Sequence, residues 1–302
     1  MYDKKQYDVI IIGGSYAGLS AALALGRARR NVLLIDSGKP CNRSAPHSHN
    51  FLTHDGSIPA EISKVGKQQV MAYPTIDFLD DVVVTADGSD QNFAVTTSSG
   101  LKASARKLLF ATGVKDLLPA INGFSESWGK PIIHCPYCHG YEFKDLPTGI
   151  MANGEIAFHF GRLIRNWTDK LTIFSNGSCT LLKEELAELD KLGVKVIETP
   201  IQSFQHDDGY ISKVVLENGT AYAIDAMYAK LPFEQHCTAI SEIGCALNED
   251  GLVKVDDFLK TSIPGIYAAG DSTTLFRAVA GAVATGSKAG AMVNHELIAQ
   301  GF

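Results

Sequence analysis

The stretch YDVIIIGGSYAGLSAALALGRARRNVLLIDSG, residues 7–38, constrains this chain more than any other. A short β-branched run opens into a glycine turn. An Ala- and Leu-rich segment of helical character follows, and then a second apolar run ending in an acid. Strand, turn, helix and strand in that order form a dinucleotide-binding unit. Gly13 makes the tight turn, and Gly18 lets the helix pack on the strand. Asp36, 18 residues beyond Gly18, stands where a carboxylate takes a ribose hydroxyl pair. The middle position of the fingerprint holds Ser15 instead of glycine, and its backbone can still approach a phosphate. The pyrophosphate would rest on the helix N-terminus, where unpaired amides and the helix dipole favour an anion.

The same pattern recurs. Residues 152–177, ANGEIAFHFGRLIRNWTDKLTIFSNG, lie over residues 13–38 without a gap, an offset of 139. TGIMANG supplies a first strand and KLTIFSN a second. The binding residues do not recur: Gly13 maps to Ala152, Gly18 to Ala157 and Asp36 to Ser175, while Gly154 stands where Ser15 was. An alanine in the tight turn is strained if that position needs a positive φ. Neither an acid for a ribose nor an arginine for a 2′-phosphate follows the second strand.

The remainder fits around these two units. Residues 82–110 alternate like a small β-meander and lead into ATG at 111–113, and residues 203–225 play the same part in the second unit. SIPGIYAAGD precedes a long helix of small residues from 278. The expected fold is α/β, with two Rossmann-like, doubly wound, three-layer domains, the second inserted into the first. The first is expected over residues 1–115 and 233–302, the second over 116–232.

Composition narrows the classes. Hydrophobic residues make up 45%, charged residues 20%, and the net charge is −6, ordinary for a globular chain and wrong for a nucleic-acid surface. The most basic spot, GRARRN at 26–31, reads as a solvated helix end. No stretch approaches the apolar length of a membrane helix, about 20 residues. MYDKKQYDVIIIGG has too short an apolar run for a signal peptide, so a cytoplasmic location is expected.

IIHCPYCHGYE, residues 132–142, admits three chemistries: covalent haem, zinc, or a redox dithiol. Zinc needs four tetrahedral ligands, usually from two knuckles, and there is no second Cys-x-x-Cys. Haem attachment belongs to another compartment. The redox dithiol remains. Attack on a disulfide needs a thiolate, and a second cysteine resolves the mixed disulfide. Two intervening residues let both sulfurs meet at the start of a helix, and Pro136 is pre-set for an early helical turn. His139 titrates near neutral pH and suits an acid/base role, with Glu142 the alternative and a capping or packing histidine the plainer reading. His134 reads as structural.

Taken in order, the fingerprint, ATG, a Cys-x-x-Cys ahead of the second βαβ unit and GIYAAGD at 265–271 resemble the low-molecular-weight thioredoxin reductases over nearly the whole chain. NRSAPHSHNF at 42–51 and CPYCHGYE at 135–142 look more like a reductase-like branch that includes gliotoxin-type dithiol oxidases and proteins not using NADPH. The resemblance implies FAD in the first unit. It places the ADP part on Gly13, Gly14, Ser15, Ala17, Gly18, Asp36 and Ser37. It places the rest of the cofactor near Asn42, His49, Asn50, Ala111, Thr112, Gly113, Gly270, Asp271, Arg277 and Ala278. The family pattern after Gly-Asp ends in Arg-Gln, and here it is Arg277-Ala278, which leaves one flavin contact without its residue. The resemblance also makes Cys138 the flavin-side sulfur and Cys135 the interchange thiol. It implies a homodimer that acts on a thioredoxin-like protein or a small dithiol or disulfide. The donor is then NADPH, if the second unit still takes it, or ferredoxin or another source. A non-catalytic flavin-binding protein is the rival class, opposed by the intact Cys-x-x-Cys.

Other residues carry weaker signals. His47, His49 and His54 line a pocket more readily than they hold a metal, since Asp55 is the only nearby acid, and no metal site is expected. Cys41, Cys179, Cys237 and Cys245 show no pairing logic and read as buried or incidental thiols, and Trp128 and Trp167 as core or interface residues. Phe302 could cover the flavin or fray.

Overall fold

The computed structural model of the chain describes residues 6–301. Phe302 lies outside them. Contacts divide the chain into two compact units: the first comprises the chain up to Arg43, Asn50–Lys115 and the chain from Phe233 on, and the second Ser44–His49 and Asp116–Pro232. Ser44–His49 thus falls with the second unit, where the sequence reading had put it with the first. Contacts explain this: a Cβ on Gly129 would lie 3.0 Å from the Ser44 Cβ, and His49 reaches Glu142 at 3.5 Å.

The first unit begins with β1 (Gln6–Ile12), α1 (Tyr16–Arg27), β2 (Val32–Asp36), α2 (Pro59–Met71) and β3 (Ile76–Asp80). It continues with β4 (Val83–Ser89), β5 (Asn92–Thr97), β6 (Lys102–Phe110) and the short β7 (Val114–Asp116), by which the chain leaves. The second unit contains α3 (Phe124–Ser127), β8 (Ile132–Ile133), α4 (Pro136–His139), β9 (Thr148–Met151), α5 (Gly154–Ile164) and β10 (Leu171–Phe174). It is completed by α6 (Lys183–Lys191), β11 (Lys195–Ile197), β12 (Ile201–Asp207), β13 (Tyr210–Leu216), β14 (Ala221–Ala223) and β15 (Ala226–Ala229). The chain returns through β16 (Phe233–Gln235), then α7 (Ala239–Glu242), β17 (Ile266–Ala268) and α8 (Val279–Ala299).

In the first unit the strand order is β3-β2-β1-β6-β5-β4, with β17 also beside β6. β1, β2, β3, β6 and β17 run parallel, and β4 and β5 are antiparallel. Both faces of the parallel strands are buried, which is why β1 and β2 read as continuous apolar runs. Val9, Ile11, Val32 and Leu34 meet α1, α2 and α8 on one face, whereas Ile10, Ile12, Leu33 and Ile35 meet residues of β4, β5 and α7 on the other. Burying each such side chain is worth roughly 1.5–3 kcal/mol. The third layer is therefore the antiparallel meander with one short helix. Small residues bring α8 onto α1: a Cβ on Gly286 would lie 2.1 Å from the Ala17 carbonyl oxygen.

The second unit repeats the plan with a parallel sheet β11-β10-β9-β15-β8 and a separate antiparallel sheet β12-β13-β14. The repeat extends to register. Val9 pairs with Val32 in the first unit, and Thr148 pairs with Leu171 in the second, each displaced by the same offset. One core lies under α5 and α6 and the other under β12 and β13. Among the described residues no helix is long and apolar enough to cross a membrane.

A lysine lies fully inside the first unit. Lys107, on β6, is 0% exposed and pairs with Asp90 and with Glu296 of α8. The Tyr267 hydroxyl donates to Glu296 at 2.7 Å, and Lys260 also reaches it. Burial pushes the Glu296 carboxyl up, but hydrogen bonds from Lys107, Lys260 and Tyr267 outweigh it and hold the group at about 2. A depressed carboxyl contributes stability above its unfolded value and loses it as the pH falls toward the folded one. Lys107→Ala leaves buried carboxylates without their cation and is expected to cost about 3–5 kcal/mol in chemical denaturation. The stability that the wild type loses from about pH 4.5 down to about 2 should shrink with it. A loss below about 1 kcal/mol would contradict this account.

Candidate functional site

The turn between β1 and α1 is built by close approach. Gly13 has φ +100°, and a Cβ there would lie 2.4 Å from the Ala111 carbonyl oxygen. A Cβ on Gly18 would lie 1.8 Å from the Gly13 carbonyl oxygen, so α1 sits directly on the turn. Both fingerprint glycines are needed for shape. Asp36, at the end of β2, accepts from the Gly14 amide at 2.8 Å and from the Gly38 amide at 3.1 Å. The carboxylate is thereby fixed beside the turn. Ser15 is the N-cap of α1 in extended backbone, and its side chain caps none of the first-turn amides.

The other residues assigned to the cofactor divide by unit. Ala111, Thr112 and Gly113 continue from β6, the Ala111 amide bonding to the Ile12 carbonyl at 2.7 Å. Gly270 packs on Ala17, where its Cβ would lie 2.9 Å from the Ala17 Cβ, and its amide donates to Thr285. Asp271 lies 3.7 Å from Arg277. Ala278 is the N-cap of α8. Asn42 donates through Nδ2 to the Tyr16 hydroxyl at 3.0 Å. Asn50 is left-handed, and its amide donates to Asp55 at 2.7 Å. Ser37 lies just past β2. These residues all belong to the first unit, whereas His49 lies in the second.

Asn42 Oδ1, Thr112 Oγ1 and Gln235 Oε1 are among the buried polar atoms of the first unit that find no hydrogen-bond partner in the protein. Buried acceptors and hydroxyls are normally satisfied. Together with the glycine cradle and the uncapped α1 amides, they fit a polar, phosphate-bearing cofactor such as FAD. Sequence reasoning missed Gln235, because nothing in LPFEQHC marks it as a binding residue.

The second turn has the same outline and a different interior. Asn153 stands where Gly14 stands in the first unit. Its Oδ1 accepts from the Gly154 amide at 2.9 Å, the Thr180 amide at 2.9 Å and the Thr180 hydroxyl at 3.1 Å. Its Nδ2 donates to the Ser178 carbonyl at 2.8 Å. The loop after β10 is thus tied across the start of α5. Ser175, in the place of Asp36, donates its hydroxyl to the Gly177 carbonyl at 2.7 Å. The strain expected at Ala152 does not arise, because Ala152 is outside the positive-φ region. The positive-φ residues here are Gly154 (φ +56°), Asn176 (φ +53°) and Gly177 (φ +137°). Arg162 pairs with Glu188 at 3.2 Å, and Arg165 donates to the Leu192 and Thr168 carbonyls. At 1.5 Å rise per residue, Arg162 lies roughly 12 Å along α5 from the turn.

Between β8 and β9 of the second unit, Cys135 and Cys138 form a disulfide with Cα atoms 5.3 Å apart. Cys135 is the N-cap of α4, and Pro136 opens the helix. Gly140 follows, where a Cβ would lie 2.5 Å from the Pro136 carbonyl oxygen and 3.0 Å from both the Trp167 ring nitrogen and the Tyr228 hydroxyl. Burial pushes the His139 imidazole below its ordinary range, His49 pushes the same way, and Glu142 acts against both. Neutral imidazole is the form that accepts a proton. His134 stacks on Trp128 with centroids 6.0 Å apart, in keeping with a structural part. Cys41, Cys179, Cys237 and Cys245 are not disulfide-bonded. Among the described residues no three His, Cys, Asp or Glu side chains are grouped to hold a metal ion.

Residues 7–286 match the family model described as pyridine nucleotide-disulphide oxidoreductase. The chain is 31% identical over 310 residues to thioredoxin reductase sirT of Leptosphaeria maculans, covering 97% of this chain and 94% of the relative. It is 32% identical over 303 residues to thioredoxin reductase tcpT of Claviceps purpurea, with the same coverage. A crystal structure of an oxidoreductase from Agrobacterium tumefaciens matches with a TM-score of 0.92 at 38% identity, covering 99% of this chain and 100% of that one. With its paired cradles and its Cys-x-x-Cys disulfide, this chain belongs to the pyridine nucleotide-disulphide oxidoreductase family and is an oxidoreductase of the thioredoxin reductase-like kind.

Proposed function

We propose that Cys135 and Cys138 exchange electrons with a thiol or disulfide substrate, that the first unit holds FAD, and that NADPH is a poor donor. The observation carrying the last point is the Asn153 side chain, which takes the Gly154 and Thr180 amides at the turn where a pyrophosphate would need donors. Gly13, Gly14, Ser15, Gly18 and Asp36 are the residues assigned to the ADP part of FAD, and Thr112, Asn42, Gln235 and Asp271 to the remainder. FAD, when bound, supplies the two-electron store that resets the cysteine pair.

The chain's own residues do the exchange. A substrate thiolate attacks Cys135 Sγ, the Cys135–Cys138 bond breaks, and Cys138 leaves as a thiolate. The second substrate thiol loses its proton and attacks the substrate sulfur held on Cys135. The substrate disulfide forms and Cys135 is released. The substrate loses two electrons and the protein disulfide gains them. His139, neutral at rest, takes the substrate thiol proton on its ring and returns it to a departing sulfur. Run backward, the same steps reduce a disulfide.

A closed second cradle also favours a specific direction, oxidation of a dithiol. The dithiol then loses two electrons and two protons, and oxygen gains both to leave as hydrogen peroxide. A thioredoxin-like protein is the substrate in the reductase direction, with electrons from a non-pyridine donor such as ferredoxin.

Three outcomes are expected. The protein purifies yellow, and Asp36→Ala weakens FAD retention about 10- to 100-fold, the worth of a charged hydrogen bond, read by flavin release on dilution. A colourless protein that FAD cannot reconstitute would sink the assignment. Cys135→Ser leaves the Cys138 thiolate and shows a long-wavelength charge-transfer band, whereas Cys138→Ser lacks it and, given the disulfide form of the substrate, traps one substrate sulfur on Cys135 as the other leaves as a thiol. Near-normal turnover in either variant contradicts the dithiol mechanism. In anaerobic titration, dithiothreitol bleaches the flavin and micromolar NADPH does not, the loss of two charged contacts weakening binding about 100- to 10,000-fold. Rapid stoichiometric bleaching by NADPH would restore an ordinary pyridine-nucleotide reductase.

A further inference from the structure

His49 was placed in the flavin pocket by resemblance, yet it lies in the unit that carries the disulfide. Its Nε2 is 3.5 Å from Glu142 Oε1, and the two side chains are 21% and 38% exposed. Its ring meets the His139 ring edge to face, with centroids 6.4 Å apart at 87°. His139 immediately follows Cys138, and its backbone amide bonds to the Cys135 carbonyl at 3.3 Å. Three side chains from two separate stretches therefore converge beside the redox pair: one from the 44–49 segment, one from the end of α4 and one from the turn after it.

We propose that His49 is a positioning residue of the dithiol site: anchored by Glu142, its ring holds the His139 imidazole in place and sets the charge around it. This rests on the acid/base reading of His139. An imidazole with nothing against its face samples several orientations, and a base works only within hydrogen-bond reach of its proton. The edge-on His49 ring restricts His139, and the carboxylate restricts His49. The sequence combines these residues economically, since CHGYE places the base and the anchor three residues apart and HSHN returns the second ring from a distant segment.

The groups facing His139 make the electrostatics readable. They are His49, with His47 behind it at 6.3 Å between centroids, and Glu142; Tyr228 on β15 lies nearby, its hydroxyl 3.0 Å from where a Cβ on Gly140 would stand. Burial, with Glu142 adding to it, pushes the Tyr228 hydroxyl far above its ordinary range, so it stays neutral in any ordinary assay. His49 and Glu142 act on His139 in opposite senses. Removing His49 therefore raises the acid limb of the exchange rate, and removing the Glu142 charge lowers it.

The test uses the flavin-loaded protein. Reduction by dithiothreitol is followed anaerobically by flavin absorbance across about pH 5–9 in wild type, His49→Asn, Glu142→Gln and His139→Asn. The expected result is a slowing of roughly tenfold for His49→Asn and Glu142→Gln, against roughly hundredfold for His139→Asn, with the acid limb moving up in the first and down in the second. Flavin content and melting temperature should stay at the wild-type level. Unmoved acid limbs in both variants, or limbs moving the same way, overturn the proposal while leaving the His139 reading intact if His139→Asn is slow. Loss of flavin from His49→Asn returns that residue to the cofactor site and also overturns it. A wild-type rate in His139→Asn overturns both.

Discussion

Every βαβ unit leaves backbone amides at the start of its helix that need an acceptor. How that need is met separates the two halves of this chain. In the first unit a carboxylate from the next strand, Asp36, takes the Gly14 amide and the N-cap Ser15 makes no side-chain cap. In the second, Asn153 takes the Gly154 amide with its own side chain and recruits Thr180 from beyond β10. The first arrangement suits an anionic ligand at a helix N-terminus. The second is an N-cap that satisfies itself.

The change costs the fold nothing visible. Strand order, the β1–β2 register and its counterpart in β9–β10, and a helix face opposite an antiparallel layer are common to both units. Burial of the strands secures these features, and burial is indifferent to what the turn binds. A duplicated unit is thus free to lose its ligand chemistry while keeping its core. The reverse holds in the first unit, where a side chain on Gly18 would push α1 off the Gly13 carbonyl and one on Gly13 would meet the Ala111 carbonyl.

The parts legible in the sequence were those fixed by local pattern. The fingerprint, the ungapped repeat, both antiparallel layers and Pro136 at the start of a helical turn follow from spacing and residue type. The parts that were not legible depend on partners distant in the chain. Nothing in the sequence marks Asn153, and only the fold brings Thr180 to it across 27 residues. Ala152 was expected to be strained because the first unit served as its template, but the positive φ had moved to Gly154. The 44–49 stretch was placed by resemblance with its sequence neighbours, and its contacts with Gly129 and Glu142 place it elsewhere. Nothing in the alternating strand singles out Lys107. Only the folded chain brings Asp90 and Glu296 to it.

The central claim is that one of two similar cradles binds a dinucleotide and the other is closed by its own asparagine. The most direct measurement is the nucleotide content of the protein after saturation with NADPH and removal of the excess, followed by denaturation and chromatography of what is released. The account predicts FAD alone, at one equivalent per chain. A second equivalent, of NADPH or its oxidised form, would contradict it.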